Sequence, residues 1–328
     1  DYLLTDRFPT PQLSEVDDQI IDEADDNADY LDFSVLKGQE KAGRAILLAA
    51  AGFHNTILTG SPGSGKTMAA QIIRGILPPL SRDEKIQMLG VVGCNNVLTS
   101  TQVLGEQRPF YKLSPTCTLT DMHGKSKKPF SGALAQAVHG VLFLDELAEF
   151  SPRVLDSLRI VLEKKQKCCE DNAKAVRLDA QRFLFVGAMN PCRCGELLDT
   201  PSKCICTTIA RRQYMQRISG AVLDRIDIFC QMYRINRNAM LQSLSSEKQK
   251  ESDSLRERVS MCWAIQKERN SKYLSGDEIY LNGEVICDNW QEIFRIPSAV
   301  LEYTVIAGER LGLSARGVNR VIRVARTV

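Results

Sequence analysis

No apolar run in this chain approaches the roughly 18 residues that a membrane-spanning helix requires; the longest nearly uncharged one, Ala45 to Phe53, falls far short. No basic-then-apolar leader opens the sequence, so membrane and secreted classes are not expected and a cytoplasmic location is. Histidine is scarce. His54, His123 and His139 have no metal or base partner by spacing, and each reads as structural. No internal repeat of fixed period is visible, and only the acidic start is compositionally biased.

What is present is a chain of 328 residues with 44% hydrophobic content, enough for a sizeable core and about two domains. The net charge of +2 hides an asymmetry. Residues 1–32 hold eleven acids and only Arg7, leaving 41 bases against 29 acids in the rest. The acidic stretch, with Pro9 and Pro11, reads as a solvated linker, whereas a body of +12 permits a polyanionic partner without requiring one. Four of the eleven cysteines crowd between Cys192 and Cys206. In a large chain without a leader, such clustering favours metal over crosslinks.

Gln39 to Ala51 has the composition of a buried helix, and Asn55 to Thr59 that of a short strand running into glycine. Lys66 to Leu77 resumes helical periodicity. Val141 to Leu144 and Phe183 to Ala188 are continuous apolar runs, the pattern of parallel strands buried on both faces. Between them, Ser151 and Pro152 open a helix with Val154, Leu155, Leu158, Val161 and Leu162 on one stripe. Alternating strands and helices predict a three-layer α/β domain over 33–233. From about residue 234 the pattern is helical, with two shorter helices around 298–311 and 314–328, and a small all-helical second domain is expected over 234–328.

Residues 60–67 read Gly60, Ser61, Pro62, Gly63, Ser64, Gly65, Lys66, Thr67, the G-x-x-x-x-G-K-T loop between a strand and a helix. Glycines let backbone N–H groups turn inward around phosphates, the helix N-terminus adds positive charge, Lys66 reaches the outer phosphates and Thr67 offers a hydroxyl to magnesium. ATP and magnesium are the expected ligands. The run Val141 to Glu146 (VLFLDE) delivers two carboxylates at a strand end. Asp145 suits the magnesium shell, and Glu146, pointing the other way, can take a proton from attacking water. Asn190, at the tip of FLFVGAMN, carries an amide able to hold both the γ-phosphate and that water. Cys192, Cys194, Cys204 and Cys206 form two Cys-x-Cys pairs that can close a tetrahedron around one structural zinc, with disulfides or simple core placement as the alternative.

Taken in order, GSPGSGKT, VLFLDEL, AMNPCRCG and VLDRID resemble the AAA+ ATPases, specifically the magnesium-chelatase-like ComM (YifB) family of competence proteins, over roughly residues 32–328. That resemblance implies an AAA+ P-loop core with a helix-2 insert and a pre-sensor hairpin, a helical lid, and a hexameric ring hydrolysing ATP between subunits. It also implies movement on DNA and branch migration during recombination of incoming DNA. By position, Asn190 matches the first sensor, Arg225 the arginine finger offered to a neighbour's ATP, and Arg316 the second sensor. The family carries a Lon-like domain ahead of this region, so the chain is expected to be a fragment and its acidic start the linker. It departs from the family in the insert, which reads RPFYKLSPTCT at Arg108 to Thr118 in place of a PHHT-like segment.

Arg225 lies among apolar residues before a β-rich run, a place suited to a fixed, projecting guanidinium; an intrachain ion pair with Asp224 or Asp227 is the alternative. On the last helix, Arg316, Arg320 and Arg323 fall on one side and Val318, Val321, Ile322 and Ala325 opposite, so Arg320 and Arg323 read as surface or secondary contacts. Two lysine clusters resemble the family's pore-facing insertions and are candidate DNA contacts: Lys125, Lys127 and Lys128, and Lys164, Lys165 and Lys167 with Lys174 and Arg177 nearby. No base-reading motif accompanies them. Two other functions remain open, the ATPase subunit of a metal chelatase and a nucleotide-gated scaffold. The four-cysteine segment argues against the first and Glu146 against the second.

Overall fold

The computed structural model describes residues 31–36, 38–92, 107–125, 130–167, 182–199, 202–234, 251–272, 281–285 and 290–328. The acidic stretch up to residue 30, Lys127, Lys128, the expected hairpin with Lys174 and Arg177, and the polar stretch 235–250 lie outside the described residues.

Among the described residues the strands are β1 (Thr56–Gly60), β2 (Phe110–Leu113), β3 (Gly124–Lys125), β4 (Phe130–Ser131), β5 (Val141–Leu144), β6 (Leu184–Met189) and β7 (Ile228–Met232). The helices are α1 (Glu40–Gly52), α2 (Lys66–Ile76), α3 (Arg82–Val92), α4 (Leu119–His123), α5 (Ala133–Gln136) and α6 (Pro152–Lys167). They continue with α7 (Thr208–Met215), α8 (Gly220–Leu223), α9 (Ser252–Ser271), α10 (Trp290–Phe294), α11 (Ser298–Arg310) and α12 (Ala315–Ala325).

Five strands make one all-parallel sheet in the order β2-β5-β6-β1-β7, and β3 pairs antiparallel with β4. Period-2 alternation sends Leu58, Phe143 and Val186 to one face with α1 and α2, and Ile57, Leu142 and Phe185 to the other with α6. Val154, Leu155, Leu158 and Leu162 of α6 are buried there, and Ser151 Oγ accepts from Val154 N at the helix start. The sheet covered on both faces is the P-loop α/β arrangement expected from the apolar runs. Register pairs Leu144 with Gly187 and Met189 with Thr59, so β5, β6 and β1 end side by side.

The C-terminal helices are tied to this core by polar bonds as well as packing. Trp263 of α9 is buried against α1 and donates to Ala50 O at 2.9 Å, while Asp32 accepts from Glu251 N and Ser252 N at the start of α9. Arg323 overturns the surface reading of α12. It is 5% exposed and pairs at 2.7 Å with Asp227, itself bonded to His54. Helical spacing alone could not reveal that the basic side faces a buried carboxylate. Val321, assigned to the packed side, is exposed.

A second buried charge network joins α3 to the sheet. Arg108 holds Glu84 through two nitrogens, at 2.8 and 3.2 Å, and Arg182 holds Glu284 at 2.8 and 3.0 Å. Burial raises the Glu84 pKa, but Arg108, the Ser81 N–H and Arg182 outweigh it and hold the carboxyl down to about 2. Glu84→Gln leaves buried guanidinium uncompensated and is expected to cost about 3–5 kcal/mol. A carboxylate depressed in the folded state stabilises fully above its unfolded pKa, here 4.5, and loses that contribution as pH falls towards about 2. Denaturant melts of both proteins at pH 7 and pH 3 check this: their difference should shrink at pH 3, and equal stability at pH 7 would refute it.

Candidate functional site

The phosphate loop is a backbone construction. β1 ends at Gly60, where a Cβ would stand 2.5 Å from both Met232 O and Ser64 Oγ, so the loop can begin there only on glycine. Gly63 and Gly65 have φ of 78° and 88°, the left-handed region that glycine adopts without strain. α2 then starts at Lys66, its first turn aimed at the loop. Lys66 Nζ donates to Gly60 O (2.7 Å), Ser61 O (3.0 Å) and Asn190 Oδ1 (3.2 Å). Burial pulls the Lys66 ammonium below its ordinary pKa, opposed by Asp145 and Glu146. The hydroxyls of Ser61 and Ser64 are buried without a protein partner among the described residues. A loop with inward polar atoms and a carbonyl-parked ammonium fits a phosphate chain.

β5 and β6 deliver the carboxylates and the amide to the same edge. Thr67 Oγ1 donates to Asp145 Oδ2 at 3.1 Å, so the hydroxyl and carboxylate expected to share magnesium already adjoin. Glu146 has φ of 52°, unusual for a residue with a side chain and costing about 1–3 kcal/mol. Its side chain is exposed and lines the cleft. Pro62, Lys66, Thr67, Asp145, Glu146 and Asn190 are among the residues lining a cleft of about 570 Å³. Sequence reasoning missed Lys112. On β2, it donates to Asp145 Oδ2 at 2.8 Å, brought there by the β2–β5 pairing and not by any motif.

Neither Arg225 nor Arg316 lines this cleft. Arg316 is exposed on α12. Arg225 does not project as expected: it is 7% exposed, and its guanidinium donates to Ala221 O and to Glu163 Oε2 at 2.8 Å. The intrachain partner is therefore Glu163 of α6, neither of the two aspartates weighed from sequence. Asp227 is engaged by His54 and Arg323, and Asp224 lies 3.8 Å from Arg320. Arg320 also donates to Leu223 O and Ile226 O, at 2.8 and 2.7 Å, on either side of Arg225.

The four cysteines converge. Cys192 Sγ lies 3.4 Å from Cys194 Sγ and 3.6 Å from Cys204 Sγ, Cys194 and Cys204 are 3.5 Å apart, and all four sulfurs fall within 4.8 Å. A disulfide requires about 2.05 Å, so these thiols are free. Tetrahedral zinc at about 2.3 Å from each sulfur requires edges of about 3.8 Å, close to the spacing found. Burial pushes the Cys192 thiol up to about 12, whereas the Glu196 N–H draws Cys194 down to about 6.

Of the basic clusters, Lys125 lies on β3 and Lys164, Lys165 and Lys167 on the last turns of α6. Among the described residues, no helix is long and apolar enough to cross a membrane.

Comparison with known proteins matches residues 32–240 to the family model "Magnesium chelatase, subunit ChlI" and residues 249–328 to "Magnesium chelatase, subunit ChlI C-terminal". The chain is 34% identical over 294 residues to "Uncharacterized protein YifB" of Salmonella typhimurium, covering 89% of this chain and 55% of that protein. It is 33% identical over 302 residues to "Competence protein ComM" of Haemophilus influenzae, covering 91% and 56%. A "Magnesium-chelatase 38 kDa subunit" of Rhodobacter capsulatus is 27% identical over 175 residues, 48% of this chain and 50% of that one. The chain spans about half the length of the curated relatives it matches.

Proposed function

Since the chain belongs to the magnesium-chelatase ChlI family and groups with its YifB and ComM members, we propose that it is an AAA+ ATPase that drives a ring-shaped DNA motor in recombination of incoming DNA. The observation that carries the ATPase reading is the meeting of Pro62, Gly63, Gly65, Lys66 and Thr67 with Asp145, Glu146 and Asn190 in one cleft. Magnesium bound with ATP supplies charge neutralisation at the outer phosphates. Thr67 and Asp145 would hold the magnesium, Lys66 would give up its carbonyl partners for phosphate oxygens, and Lys112 would have to leave Asp145. Glu146 accepts the proton of the water that Asn190 orients. Arg316 and a neighbour's Arg225 add positive charge at the γ-phosphate. The lid is taken as 234–328, the core as 33–233 and the start as linker; hexameric assembly and cytoplasmic action belong to the same reading.

The motor reading is preferred over a chelatase subunit because the YifB and ComM matches extend over about nine tenths of the chain, against 48% for the chelatase subunit. Lys125, Lys127, Lys128, Lys164, Lys165 and Lys167 are its proposed DNA contacts. Neutralising phosphates with lysines gives binding that is indifferent to sequence and steeply weakened by salt. Lys164, Lys165 and Lys167 changed together to Glu should weaken DNA binding by about tenfold or more and flatten its salt dependence. Unchanged affinity in a fluorescence anisotropy titration would remove this cluster from the interface.

Cys192, Cys194, Cys204 and Cys206 are proposed to hold one zinc. A four-thiolate site has no open position, so the ion braces the loop and performs no chemistry. Elemental analysis of protein purified without chelator should find about one zinc per chain; its absence would return these residues to simple packing.

A further inference from the structure

Pro62, in the phosphate loop, is covered by the four-cysteine loop. Gly195 has φ of 82°, and its backbone comes so close that a Cβ there would stand 2.5 Å from Pro62 Cδ and 2.8 Å from Pro62 Cγ. Arg234, two residues past β7, donates through Nε to Pro62 O at 3.3 Å and pairs through Nη1 with Asp199 Oδ2 at 3.2 Å. One guanidinium thus ties the phosphate loop to the far limb of the cysteine loop. Asn190, whose amide oxygen accepts from Lys66, stands two residues before the buried Cys192.

Besides the sulfurs, the ties within the cysteine loop are few: Ser202 Oγ donates to Glu196 O at 3.3 Å, and Cys204 N donates to Ser202 Oγ at 3.4 Å. Its described residues between Asn190 and Thr207 form no helix or strand, and two turn bonds, Gly195 N to Cys192 O and Asp199 N to Glu196 O, are its backbone–backbone bonds there. The sulfur cluster, with Ser202 and the Arg234–Asp199 pair, therefore joins the two limbs of the loop that carry Gly195 and Asp199. Four sulfurs within 4.8 Å of one another match the spacing around a single tetrahedral ion.

We propose that the four-cysteine loop is a metal-dependent clamp on the phosphate loop: zinc at Cys192, Cys194, Cys204 and Cys206 holds Gly195 and Asp199 in place, and through Pro62 they keep the loop ready for nucleotide. The clamp rests on the zinc site proposed above and adds that nucleotide affinity follows its occupancy. Loss of the ion frees the loop, withdraws the backing from Pro62 and lets the inward N–H groups disperse.

The test measures binding of a fluorescent ATP analogue to the 328-residue chain before and after zinc withdrawal by a zinc-selective chelator, with magnesium constant and zinc content followed by elemental analysis. The expected result is a Kd raised by about tenfold or more, reversed by zinc, with far-ultraviolet circular dichroism unchanged. Gly195→Val separates the clamp from the metal, because it keeps all four cysteines and drives a side chain into Pro62. It should retain zinc and show the same loss of affinity. Zinc present, but affinity within about twofold after withdrawal and in Gly195→Val, overturns the clamp and leaves the metal site standing. Absence of zinc overturns both. If the stripped protein unfolds, the zinc-loaded Gly195→Val protein decides.

Discussion

Glu146→Gln should bind ATP nearly as well as the unchanged protein and hydrolyse it about a hundred- to ten-thousandfold more slowly, the range typical of a lost general base. The substitution keeps size and hydrogen-bonding reach but cannot accept the water's proton. Binding is spared because the phosphate-loop backbone, Lys66, Thr67 and Asp145 do not depend on that carboxylate: Asp145 is held by Thr67 and Lys112, and Lys66 by Gly60, Ser61 and Asn190. The left-handed backbone at Glu146 supports a functional origin, since a residue with a side chain holds φ of 52° only where the surroundings impose it. Lys66→Ala should differ in kind, losing nucleotide binding itself. Near-normal turnover of Glu146→Gln in a single-turnover assay would remove it from the base role.

Arg225→Ala is expected to lower turnover by about a thousandfold or more, the scale of a lost arginine finger. In the single chain Glu163 of α6 holds the guanidinium, so the proposed role on a neighbour's ATP requires that assembly break or turn that pair. Activity should then depend on protein concentration. Arg320 bridges the carbonyls of Leu223 and Ile226 around it, which links the helix bearing Arg316 to the segment bearing Arg225. Mixing separates a trans role from a structural one. Arg225→Ala subunits retain Glu146, and Glu146→Gln subunits retain Arg225, so some mixed interfaces hold both working residues and hydrolysis should return. Mixtures that co-assemble yet never exceed the sum of the two parents would make Arg225 a fold residue paired with Glu163.

The parts of the site that the sequence made legible are those in which local pattern and chemistry coincide. β5 and β6 are buried on both faces and therefore read as unbroken apolar runs, and their polar tips Asp145 and Asn190 follow directly. The phosphate loop is legible because glycine, lysine and threonine spacing carries its own mechanism, and the cysteines because two close pairs flank one loop. Lys112, Glu163 and Arg234 were invisible for a common reason: each reaches its partner through tertiary pairing 33, 62 or 172 residues away. Arg323 misled through periodicity, since one helix face can be both basic and buried when a carboxylate such as Asp227 waits beneath it.

If hydrolysis in this cleft is coupled to DNA, steady-state ATPase activity measured with and without DNA will show it. The rate should rise severalfold with DNA of any sequence, with the stimulation fading as salt increases and absent in Glu146→Gln. A rate that is abolished by Glu146→Gln but indifferent to DNA at low salt would contradict it, leaving an ATPase whose work is done on another partner.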